Sequence, residues 1–169
     1  MQVRQAQFHF GSEIDKALNQ LLLAWSQRDA ADAANAKANA EQARNTLEPL
    51  VHKDQQDSGP LTGNLALLYA VLGNKELALK EAERAIALSP NAKDAVYGPT
   101  DEENLALIQT MFGENSRAIA TLTRLLKTPY SSWLYGPPAI TSAHLRLDPV
   151  WDPLRADPAF QKLCEEKKP

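Results

Sequence analysis

Apolar and polar residues alternate along this chain with a helical period from residue 13 onward. Ile14, Leu18, Leu21, Leu22 and Trp25 recur at helical spacing and predict an amphipathic helix over 13–27, with Ser12 as its N-cap. Ala33, Ala36, Ala40, Ala43, Leu47, Leu50 and Val51 form the stripe of a second helix over 30–54. Pro49 lies inside that stripe and removes a backbone donor, so a kink or an end is expected near Glu48. The polar run Asp54-Gln55-Gln56-Asp57-Ser58-Gly59-Pro60 reads as a linker. Two hairpins follow. Leu61, Leu65, Leu68, Tyr69 and Leu72 mark a helix over 61–73, and Leu77, Ala78, Ala82, Ala85, Ile86 and Leu88 mark its partner over 75–89. Gly73-Asn74 turns the chain between them, and Ser89-Pro90 stops the second. After an insert over 91–99, Thr100-Asp101-Glu102-Glu103 reads as a capping box opening a helix that carries Leu105, Ile108, Met111 and Phe112. Gly113-Glu114 breaks it, and Ala118, Ile119, Leu122, Leu125 and Leu126 predict its partner over 115–127.

The pattern changes at 128. Seven of the eleven prolines lie from Pro129 onward, so continuous helix is excluded there. Three form Asp-Pro pairs, at Asp148, Asp152 and Asp157. Aspartate caps helices well and proline suits the first helical position, so short turns are expected near 139, 150 and 153, with a last helix over about 158–167.

Two stretches are self-similar. Asn64-Leu65-Ala66-Leu67-Leu68-Tyr69 corresponds to Asn104-Leu105-Ala106-Leu107-Ile108-Gln109, and Gly73 and Ala78 correspond to Gly113 and Ala118. Two helices per unit at a spacing of 40 residues indicate a helical repeat array. A degenerate unit over 1–58 is expected before them, with Asn19 aligned on Asn64 and Asn104. The chain thus divides into 1–58, 59–92, 93–130 and a capping tail over 131–169.

Composition agrees with an all-α fold. Alanine and leucine together are roughly 30% of the chain, whereas valine is scarce and aromatics are 7%, too few β-formers for a sheet protein. The net charge of −3 comes from interspersed acids and bases, leaving no basic stripe for nucleic acid. The apolar run Leu21-Leu22-Leu23-Ala24-Trp25 is far too short to span a bilayer. The N-terminal stretch lacks a signal-peptide core, so a cytoplasmic protein is expected, as a segment of a longer chain or complete in itself.

The unit over 59–92 resembles the tetratricopeptide repeat. Leu65-Ala66, Tyr69, Gly73-Asn74, Ala78, Ala85 and Pro90 match the family's pattern at its spacing, with Thr62 where its first large aromatic belongs. The second unit departs further, with Gln109 in place of the tyrosine and Leu125 in place of a small residue. The tail from Leu145-Arg146-Leu147-Asp148-Pro149 through Leu163 is similar to the ending of bacterial signalling proteins that carry such repeats at their C-terminus. That group includes adenylate-cyclase-like proteins, serine/threonine kinases and winged-helix regulators. Ala159 stands where the group has arginine.

The resemblance implies a curved array of stacked hairpins whose first helices form a concave, protein-binding wall. On that wall it places Asn19, Asn64 and Asn104, whose amides can both donate to and accept from a peptide backbone. With them stand Leu22, Leu67, Leu107, Trp25, Val71 and Met111. These residues can equally be packing between repeats, and the tail or Phe8-His9-Phe10 can cover the wall. The first helices at 61–72 and 100–112 contain no Lys or Arg, so a clamp for a peptide carboxylate is not expected.

Catalytic signals are weak. His9, His52 and His144 are not spaced as metal ligands, Cys164 stands alone, and no Gly-x-Ser-x-Gly elbow or phosphate loop occurs. No enzyme activity, metal or cofactor is expected. The expected function is protein–protein interaction or scaffolding within a signalling protein. The alternatives are homodimerisation that pairs effector domains, and a small-molecule or catalytic groove.

Overall fold

The computed structural model describes residues 12–53, 58–95, 98–136 and 139–165. Among them the fold is all-α, with six longer helices followed by short ones. Helices α1 (Glu13–Asp29) and α2 (Ala33–Lys53) form the first antiparallel pair. Helices α3 (Gly59–Val71) and α4 (Lys75–Leu88) form the second, and α5 (Gly98–Met111) and α6 (Asn115–Leu125) the third. The pairs adjoin in chain order, α2 on α3 and α4 on α5, and α3 packs against both α1 and α5.

Local chemistry sets most helix ends. At α1 the Ser12 hydroxyl accepts from the Asp15 amide while the Asp15 carboxylate accepts from the Ser12 amide, a reciprocal capping box. Ser58 caps α3 and Asn74 caps α4. The first helix of each pair ends in the same turn. Gly73 and Gly113 take left-handed φ values of +77° and +75°, which place the amides of Asn74 and Glu114 on the carbonyls of Tyr69 and Gln109. In the first pair Ala31, at φ +59°, does the same work, and the Asp32 amide reaches the Gln27 carbonyl.

Two expectations about helix ends are corrected. Helix α2 does not end near Glu48 but runs through Pro49 to Lys53. The proline ring is exposed, and Leu47 and Val51 on either side of it are buried in the core. Their burial holds the helix together across the missing hydrogen bond. The second correction concerns Thr100 and Glu103. Helix α5 begins earlier, at Gly98, so these residues lie within it and form no capping box. Both side chains turn instead to the segment after α6.

Small residues set the spacing of the helices. Ala66, Ala78, Ala85, Ala106 and Ala118 are all fully buried. In the seam between α3 and α5, α3 presents Gly59 and Gly63 to Asp101. A methyl group on Gly63 would stand 2.5 Å from Asp101 Oδ1 and 3.0 Å from Asn104 Nδ2. Glycine is required there for close approach rather than for its backbone freedom.

The prolines after 128 do not prevent order. Helix α7 (Ser142–Leu147), a 3₁₀ helix (Pro149–Leu154) and α8 (Pro158–Glu165) follow. The 3₁₀ helix packs on α5 and α6, and α8 packs on α6 and α7. Trp151, Leu154, Phe160 and Leu163 are buried in these contacts. Asp148 and Asp157 cap as expected, accepting from the amides of Val150 and Ala159. Asp152 differs, because it pairs with Arg155, whose guanidinium also donates to the carbonyls of Arg146 and Asp148.

Candidate interaction face

The first helices of the three pairs lie side by side, with α3 between α1 and α5. The nine residues expected to form a binding wall on this layer fall into different environments. Leu22 is half exposed, at 51% of its full surface. Asn19, Asn64, Val71 and Met111 are partly buried, and the Asn19 amide donates to the Asp15 carbonyl of its own helix at 2.7 Å. Leu67, Leu107, Asn104 and Trp25 are buried. The three asparagines therefore do not form a uniform row. Asn104 faces Gly63 in the α3–α5 seam, and its Oδ1 has no hydrogen-bond partner among the described residues.

The segment over 130–136 lies on this layer. At one end the Thr100 hydroxyl donates to the Ser131 carbonyl at 2.7 Å, and the Ser132 hydroxyl donates to Glu103 Oε1 at 2.7 Å. Thr100 and Glu103 both belong to α5. At the other end Trp133 meets Trp25 of α1 edge to face, with ring centroids 5.4 Å apart. The segment thus bridges the two helices that flank α3, and it acts as a strap across them.

A tight turn shapes the strap. Ser132 and Gly136 exchange two backbone hydrogen bonds, and Gly136 takes a φ of +65°. The Ser132 hydroxyl accepts from the amides of Leu134 and Tyr135 while donating to Glu103. Tyr135 leaves the turn on the opposite side. Its ring stacks on His144 at 4.0 Å, its hydroxyl donates to Asp148 Oδ2 at 3.0 Å, and it accepts from Trp151 Nε1 at 3.0 Å. The strap is therefore gripped by the helical layer through Ser132 and Trp133, and by the tail through Tyr135.

Two buried carboxylates lie two residues apart on α5. Burial raises the pKa of Glu103, and the Ser132 and Tyr130 hydroxyls with the amides of Leu134 and Trp133 pull it back down. Burial pushes Asp101 up to about 7, with the charge of Asp94 adding to the effect. Asp101 Oδ2 has no hydrogen-bond partner among the described residues. No group of three His, Cys, Asp or Glu side chains suited to an ion occurs among the described residues. No described helix is long and apolar enough to cross a membrane.

Sequence reasoning assigned none of Thr100, Glu103, Ser132 or Trp133 to the face. The signal available was Glu103 itself, a glutamate two residues before the apolar run Leu105-Ala106-Leu107-Ile108, for which capping offered a sufficient local reason. Phe8, His9 and Phe10, the other expected cover, lie outside the described residues. Compared with models of known families, with characterised proteins and with solved structures, the chain finds no match.

Proposed function

We propose that this protein is a tetratricopeptide-like interaction module, with the tail as its C-terminal cap, that holds a non-helical polypeptide segment on its layer of first helices. One observation carries the reading: the layer already holds such a segment, gripped at a main-chain carbonyl by Thr100, at a hydroxyl by Glu103 and at an aromatic ring by Trp25. The common turn at Ala31, Gly73 and Gly113 supports a repeating unit. The absence of Lys and Arg from α3 and α5 argues against capture of a free carboxylate. By its sequence resemblance the module belongs at the scaffold or sensory end of a bacterial signalling protein.

Selection from a displayed random-peptide library on the full chain tests the reading. Peptides should be enriched, and Leu22→Asp or Met111→Asp should abolish their binding with the fold intact. No enrichment on a monomeric, folded chain would refute it. Self-association is the second reading, favoured by Leu22 and Leu23, which are adjacent on α1 and both about half exposed. Light scattering after size exclusion separates the two. A dimer that Leu22→Asp dissociates, with no peptide enriched, would establish the second.

A further inference from the structure

We infer that the strap is a resident competitor and that the partner's segment shares its chemistry: a chain turn carrying a hydroxyl residue followed by tryptophan. This rests on the interaction reading above and names the ligand class and its regulation. Each contact of the strap with the helical layer selects for one feature. Thr100 donates to the carbonyl of Ser131, which any residue supplies, so it fixes the path of the chain without reading its sequence. Glu103 accepts from the Ser132 hydroxyl in a buried setting, where an apolar residue would leave the carboxylate without that donor. Trp25 offers its ring to Trp133 in an edge-to-face contact that an aromatic side chain alone reproduces.

The same contacts make the strap displaceable. Glu103 is fully buried beneath it, so docking carries the desolvation of a carboxylate, which weakens the hold. Trp133, Leu134 and Tyr135 remain partly exposed after docking, unlike Trp151 and Phe160 of the tail, which are fully buried. The tail can therefore stay docked through Trp151, Leu154 and Phe160 while the strap lifts. A tethered competitor acts at a high effective concentration, so the face is held closed until a matching segment displaces the strap.

The probe is a fluorescent peptide with the sequence of residues 128–136, titrated into the full chain and into its Trp133→Ala variant. The variant keeps Ser132 and Glu103 but loosens the resident strap. Expected is saturable one-to-one binding, at least tenfold tighter to the variant than to the wild type, and lost when the peptide's own tryptophan is replaced by alanine. Hydrogen exchange on the wild type gives a measurement that does not depend on the variant folding. The amides of Ser132, Leu134, Tyr135 and Gly136 should exchange at least tenfold faster than those in the middle of α5. Strap amides as protected as α5, or a folded variant that binds the peptide no better than the wild type, would overturn the inference. Library peptides that bind wild type and variant equally would overturn the competitor while leaving the interaction reading standing. A variant that dimerises and is split by the peptide would transfer the site to a second copy and overturn the partner-protein occupant.

Discussion

The two sides of α5 bury a carboxylate each, and they differ in what is packed against it. On the α3 side Asp101 is pressed against glycines that leave space but bring no donor, so one of its oxygens has no partner among the described residues. On the strap side Glu103 is met at Oε1 by a serine hydroxyl at 2.7 Å, while its Oε2 also has no hydrogen-bond partner among the described residues. The first side gains close packing and accepts an electrostatic cost. The second adds a hydrogen bond to the aromatic and leucine contacts of the segment it holds down. Helices can close a seam with small residues alone, whereas an irregular strap needs polar anchors because its backbone has no ladder of its own.

Breaking the strap side from the tail should give the largest effect. Trp151→Ala removes a fully buried ring and the donor to Tyr135, and should cost about 3–5 kcal/mol, lowering the melting temperature by roughly 10 °C. A change of under 1 kcal/mol by denaturant titration would mean that the tail is only a tether.

The Asp101 side should show itself in pH dependence. Its pKa is raised from 3.8 to about 7, so the folded chain keeps a proton that the unfolded chain releases near pH 4. The folded state therefore binds more protons at this site in this window, and the contribution of Asp101 to stability is greatest below about pH 4 and is lost as pH rises towards 7. The loss attributable to Asp101 is at most about 4 kcal/mol. Asp101→Asn should flatten the profile between pH 4 and 7. A profile of the variant parallel to that of the wild type would refute the assignment. Burial raises Glu103 too, so the slope that remains in the variant should have the same sign.

Ser132→Ala sharpens the comparison from the other side. It takes a donor from buried Glu103 and an acceptor from the amides of Leu134 and Tyr135, and should cost about 2 kcal/mol. Ser132→Thr should recover part of that loss, and equal losses for both would implicate shape rather than the hydroxyl. Gly63→Ala is expected to be the smallest. Alanine in a helix interior normally gains about 1 kcal/mol over glycine. Here its methyl would crowd Asp101 Oδ1 at 2.5 Å, so the net effect should be a loss of about 1 kcal/mol that Asp101→Ala reverses. A stabilised Gly63→Ala protein would show that the seam has room to spare.

Much of the fold is legible in the amino-acid pattern alone. The helical period places all six long helices to within a few residues, because amphipathic stripes and the turns at Gly73 and Gly113 are local properties. Burial of Leu47 and Val51 outweighs the local signal of Pro49. The binding wall is less legible. Asn64 and Asn104 are equivalent by sequence spacing, yet one is partly exposed and the other is buried in the seam. Nothing in their own neighbourhoods distinguishes them, since the seam that holds Asn104 is made with Gly63 of α3, about 40 positions away.

Sequence by itself determined that this chain is helical, where its helices pair, and that its tail is punctuated by caps. Those outcomes depend on hydrogen bonds and side chains within a turn or two of each other. Only the tertiary structure decided that Glu103 anchors a strap instead of capping α5, and that Trp25 meets Trp133 instead of open solvent. The partners are 29 residues apart in the first case and lie at opposite ends of the array in the second. A buried carboxylate takes whichever donor the packed chain brings to it, and local spacing carries no record of that choice.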